Sequence, residues 1–171
     1  TLTSFDGQRR RLGVGNALAA NSQRHAILQY LWSTFAIARV CREETSSFLG
    51  VLNRLVDHSN SLTLEVAQKS LQFLHMALET AYRGGIGLDN DSVTLTASVV
   101  SSLQSSPLNN ATDKHVSFAA ARNVTSVLRF ASSAQLRGAF DGVGYSLAGE
   151  GVDMFSYRTS VESLATLGAL Q

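Results

Sequence analysis

Cysteine, charge and long apolar runs are all scarce in this sequence of 171 residues. Cys41 is the only cysteine, so neither a disulfide framework nor a thiolate zinc site can form within the chain. It follows the mostly apolar stretch Ala36–Val40 and reads as a small buried hydrophobe, with a bridge to a cysteine elsewhere as the alternative. Asp, Glu, Lys and Arg make up 16% of the chain, against about 25% in an ordinary domain, which leaves a surface rich in neutral polar groups. The 14 basic and 13 acidic residues nearly cancel, so no field of one sign exists to steer nucleic acid or an anionic membrane. No apolar run approaches the roughly 18–20 residues of a membrane-spanning helix, so direct membrane insertion is not expected. No basic n-region leads into an apolar h-region at the start, and there is no initiator Met. The chain therefore reads as a piece of something longer.

What is present is helical periodicity, over a length sufficient for one domain with a core. From Ser22 to Val40 the residues Ile27, Leu28, Leu31, Phe35 and Ala38 recur mainly at steps of three and four. A second amphipathic run, Phe48 to Val56, follows a start signal at Thr45/Ser46 and ends in the polar stretch at 57–61. Behind the cap candidate Thr63, the residues Leu64, Ala67, Leu71, Leu74, Leu78 and Ala81 form one continuous seam, which predicts a helix at the centre of the fold. Gly84-Gly85 stop it. A fourth helix is expected from Ser92 to Ser106-Pro107, despite its β-branched content. Thr112 or Asp113 caps a fifth, carrying Val116, Ala120, Val124, Val127, Leu128 and Ala131. A last, weaker helix is expected over Leu136, Phe140, Val143 and Leu147, interrupted by Gly138, Gly142 and Gly144.

Beyond Gly149-Glu150-Gly151 the period changes from helical to alternating, which predicts a strand over Val152–Val161 with Phe155 and Tyr157 on one face. A lone strand is unstable, so a partner is expected from chain outside this sequence, another subunit or a ribbon at Leu2–Val14. The fold class is mostly α: an irregular bundle of about five or six helices with a short C-terminal β segment. Its expected organisation is an extended segment at 1–22, the bundle at 23–148, and a turn and strand at 149–171.

No residue pattern specifies a reaction. The histidines His25, His58, His75 and His115 are scattered, and only His75 has a ligand-spaced partner, Glu79, so no metal is expected. No G-x-S-x-G elbow occurs. Gly84-Gly85-Ile86-Gly87 follows a helix and lacks the Lys-Ser/Thr of a phosphate cradle. Glu43-Glu44 and the loop acids Asp89 and Asp91 are too few for a calcium loop. Arg9-Arg10-Arg11, without interleaved aromatics, reads as an exposed segment rather than a nucleic-acid contact. Sequons at Asn90, Asn110 and Asn123 are candidate glycosylation sites, the first two falling in expected loops, and with the low charge they favour an extracellular chain.

The motifs Leu49-Gly50-Val51-Leu52-Asn53-Arg54-Leu55-Val56, then Leu62-Thr63-Leu64-Glu65 opening the long helix, then Leu147-Ala148-Gly149-Glu150 before the alternating segment, occur in that order. This order resembles the helical part of polycystin and receptor-for-egg-jelly ectodomains and the helical subdomain of GAIN domains, over about two thirds of the chain. The resemblance implies a non-enzymatic interaction or scaffolding module on the extracellular side of a plasma or ciliary membrane, without a cofactor. Its implied partners are neighbouring domains of a longer chain and other subunits of a cell-surface assembly. The segment at 149–171 would then lead into a following β-domain, with Phe155 and Tyr157 packing at the junction. The sequence departs from complete GAIN domains in lacking the β-sandwich and the His-Leu-Ser/Thr cleavage motif, so autoproteolysis is carried to no residue. An intracellular helical adaptor is the alternative, and an enzyme comes third.

Overall fold

The computed structural model describes residues 2–37, 41–57, 62–108, 113–137, 144–149 and 152–158. Five helices, α1 (Leu2–Ile37), α2 (Arg42–Val56), α3 (Leu64–Arg83), α4 (Asn90–Gln104) and α5 (Lys114–Gln135), precede the strands β1 (Gly144–Gly149) and β2 (Val152–Tyr157). The mostly helical class with a short C-terminal sheet is as expected, but both ends of the chain differ from the sequence reading. The segment expected to be extended at 1–22 is helical from Leu2 onward. The weak helix expected beyond Leu136 is replaced at 144–149 by β1. Glycine disfavours a helix interior, and the alternation of Tyr145 and Leu147 with small residues suits a strand.

α3 is the central helix and touches all four others. It carries two adjacent buried stripes, Ala67-Leu71-Leu74-Leu78-Ala81 and Val66-Ser70-Phe73-Ala77, so it is enclosed on more than one side. Leu64, at the helix start, is 37% exposed and stands outside the core. The Phe73 ring meets Trp32, Phe35 and Phe48 at centroid distances of 5.7, 5.7 and 6.2 Å, all edge-on. This aromatic cluster joins α1 and α2 to α3 in the geometry the ring quadrupoles prefer. On α4, Val93, Val99, Val100 and Leu103 are buried, so tertiary packing decides for helix over the strand propensity of valine.

Caps set three of the helix starts. Thr63 Oγ1 accepts from the Val66 N–H at 3.3 Å, Asp89 Oδ1 from Ser92 at 2.8 Å and Asp113 Oδ1 from His115 at 2.8 Å. α2 instead begins at Arg42, earlier than the Thr45 signal, with Cys41 as a cap that uses no side-chain bond. The Cys41 carbonyl accepts both the N–H and the hydroxyl of Thr45, so that threonine sits inside the helix and bonds one turn back. Glu43 and Glu44 in the first turn complement the helix dipole.

Hydrogen bonds from Ser92, with a smaller contribution from the Arg42 guanidinium, hold the Asp89 carboxyl below its ordinary range. A depressed carboxylate contributes stability that is complete above its unfolded pKa and is lost as pH falls through the folded value. Asparagine caps about as well as aspartate but does not titrate. Thermal melts of Asp89→Asn should therefore match the parent near about pH 6 and show a smaller loss on acidification to about pH 3. Identical acid losses would remove Asp89 as a contributor.

Candidate interaction face

The hairpin is antiparallel, and its register pairs Gly144 with Tyr157, Tyr145 with Ser156 and Ser146 with Phe155. Directly opposed residues share a face, so Gly144, Ser146, Phe155 and Tyr157 lie on one side and Tyr145 and Ser156 on the other. Ser156 is buried, and its hydroxyl bonds that of Ser132 on α5 at 2.9 Å. Arg158 adds a second tie, donating to the Leu136 carbonyl at 3.0 Å. The C-terminus of α5 is in turn fixed to that of α3, because Arg137 donates to the Tyr82 carbonyl at 2.7 Å and lies 5.0 Å over the Tyr82 ring. The hairpin therefore rides on the bundle through its Ser156 face.

The opposite face is open, and its two aromatic rings stand beside the exposed Ser146 and Asp153. Phe155 is 71% exposed and Tyr157 50% exposed, and their rings are nearly parallel, 10° apart in plane and 6.4 Å apart in centroid. Both rings lie over Gly144, where an added Cβ would come within 3.2 Å of Tyr157 Cδ2 and 3.3 Å of Phe155 Cζ. Glycine at that position gives the rings their seat. The sheet has only two strands, so among the described residues each keeps an edge of unpaired backbone groups.

Sequence alternation placed Phe155 and Tyr157 together on one face, which the register reproduces. Pairing is a correction: β2 is satisfied by β1 and needs neither outside chain nor the Leu2–Val14 region. Among the described residues the β unit begins at Gly144, ahead of the expected turn at 149–151. Sequence reading missed the anchors Ser132, Arg137 and Gly144. The glycine spacing around an alternating Tyr145-Leu147 pair was the signal that would have found β1.

Two of the three sequons begin among the described residues, in different settings. Asn90 is the first residue of α4 rather than part of a loop, its Oδ1 accepts from Gln135 Nε2 at 3.1 Å, and the Ser92 of the same sequon is buried. Asn123 lies in the middle of α5 and lines a cavity of about 280 Å³ with Leu71, Leu108 and Ala120. Asn110 lies outside the described residues, as does His58.

The remaining candidates stay apart. His25 Nε2 stands 3.3 Å from Lys69 Nζ, which also donates to Glu65 at 2.9 Å. His75 faces Glu79 at 3.8 Å and the Phe130 ring at 5.5 Å, while Glu79 pairs with Arg83 at 2.6 Å. Hydrogen bonding to Lys69 and its charge hold the Glu65 carboxyl below the ordinary range. Cys41 is a partly exposed free thiol at the start of α2, not the core residue its apolar neighbours suggest. Among the described residues no group of three or more His, Cys, Asp or Glu side chains is placed to hold a metal, and no helix is long and apolar enough to cross a membrane. Comparison with protein-family models, curated proteins and solved structures found no match to this chain.

Proposed function

We propose that this chain is a non-enzymatic interaction and scaffolding module, in which the helical bundle is a rigid base and the hairpin packs on a neighbouring β-domain. The observation that carries this is the exposed, stacked Phe155–Tyr157 pair on a hairpin pinned to α5 through its opposite face. Exposed aromatics held in fixed geometry on a rigid support are the side chains that dominate protein interfaces. With β2 already paired, docking rests on this aromatic face and the open strand edges rather than on a missing strand. The resemblance to the helical subdomain of GAIN domains supplies the setting, the ectodomain of a large membrane or cell-surface protein, plasma-membrane or ciliary.

Glycan occupancy separates this setting from an intracellular adaptor. Mass spectrometry of full-length protein from its native source should find sugar at Asn110 or Asn90. Asn123 should be bare, because a glycan there would have to leave the middle of a helix beside a lined cavity. Unmodified Asn90 and Asn110 together would favour the intracellular adaptor.

A further inference from the structure

The free edge of β2 belongs to the same residues that carry the exposed face. Only residues 150 and 151 separate the paired Gly149 and Val152, and a connection of two residues closes on a hydrogen-bonded pair. Bonded and open pairs alternate from there. Val152, Met154 and Ser156 therefore turn their N–H and C=O groups to β1, while Asp153, Phe155 and Tyr157 turn theirs outward. Among the described residues no backbone hydrogen bond reaches those outward groups, and all three residues are exposed. Such an edge is usually blunted by lysine, proline or a bulge. β2 has neither lysine nor proline, its register with β1 runs without a bulge, and its one charge is Asp153.

This edge is complementary to itself. Antiparallel pairing about a two-fold axis at Phe155 sets that ring opposite the partner's Phe155 and sets Asp153 opposite the partner's Tyr157. Every outward residue then meets an outward residue and exchanges both backbone bonds with it. Opposed aromatics are favourable cross-strand pairs, and a tyrosine O–H can donate to a carboxylate. The two Asp153 carboxylates fall on opposite sides of the axis, more than about 10 Å apart, which is a Debye length or beyond. An axis at residue 153 would instead oppose like charges, and one at residue 157 would carry Asp153 past the end of β2. The edge of β1 gains less, since its outward residues are the small Gly144, Ser146 and Ala148. We propose that β2 pairs with β2 of a second copy of this chain, joining two hairpins into one sheet. Opposed residues share a face, so the Phe155 and Tyr157 rings of both copies line one side of it. The dimer goes beyond the docking of a neighbouring β-domain and does not require one. A strand of six residues is a small contact beside the roughly 20–30 residues a side of a standard interface, so the association is weak.

Sedimentation equilibrium of the whole chain should show monomers giving way to dimers and to nothing larger, with Kd on the order of 100 µM. Amide exchange followed by NMR locates the contact. Between about 20 µM and 1 mM chain, the amides of Asp153, Phe155 and Tyr157 should slow by about fourfold, the fall in monomer fraction at that Kd, while those of α2 keep their rates. Asp153→Pro removes one outward N–H and no bond to β1, so it should keep the far-UV circular dichroism of the parent and weaken association by at least about tenfold. Phe155→Lys leaves the backbone alone, sets two ammonium groups in direct opposition and should weaken it as much. A chain that stays monomeric at about 1 mM would leave the edge to a strand of some other chain and overturn the proposal. So would growth past two copies, a dimer whose formation leaves exchange at Asp153, Phe155 and Tyr157 unchanged, or parental association by folded Phe155→Lys.

Discussion

Phe73→Ala and Leu74→Ala should each lower the unfolding free energy by about 3–5 kcal/mol, measured by urea denaturation. Both side chains are fully buried on α3, and neither site can collapse easily, since α3 is enclosed by four helices. Phe73 loses more than buried area: three edge-on ring contacts disappear with it, including those that fasten α1 through Trp32 and Phe35. Phe118→Ala is the control. It removes an equally large ring from the same bundle, but Phe118 is 74% exposed, so the change should stay within about 0.5 kcal/mol. A cost at Phe73 no greater than at Phe118 would mean that α3 is not the centre of the core.

The second large effect depends on context. In this chain alone, Phe155→Ser combined with Tyr157→Ser should cost less than about 1 kcal/mol, because both rings are already in water and lose only their mutual contact and their seat on Gly144. In the native full-length polypeptide the same pair of changes should cost about 2–4 kcal/mol, the range for aromatic anchors at the centre of an interface. Calorimetric melting of both proteins gives the comparison. The pair of rings would be excluded as a docking element by a small cost in both.

The parts of this fold that the sequence made legible are those where one pattern dominates. The seam from Ala67 to Ala81 and the cap at Thr63 were visible because apolar spacing and capping residues agree there, and the cap at Asp113 was one of two candidates with Thr112. The second stripe of α3, Val66-Ser70-Phe73-Ala77, was hidden because a polar serine interrupts it and only two of its side chains are large and apolar. α2 starts before the Thr45 signal, and because its N-cap Cys41 makes no side-chain bond, no capping side chain marks that start. At the C-terminus two periods compete over residues 136–149: Leu136, Phe140, Val143 and Leu147 suit a helix, while glycine spacing and the pairing available with Val152–Tyr157 suit a strand. Pairing is a long-range property, and local spacing could not reveal it. The same holds for the polar cleft walled by Arg42, Asp89, Asn90, Gln135, Arg137 and Tyr145, whose positions are far apart in sequence.

Hydrogen exchange at residues Val152–Tyr157, compared between this chain alone and the native full-length polypeptide, tests the docking role of the hairpin most directly. A hairpin of two strands with open edges opens readily, and a neighbour packed on it suppresses that opening. Exchange at these amides should slow by about tenfold or more in the full-length protein, with the amides of α2 as the internal reference. Equal exchange in the two proteins would contradict the account, because the aromatic face would then have nothing packed on it.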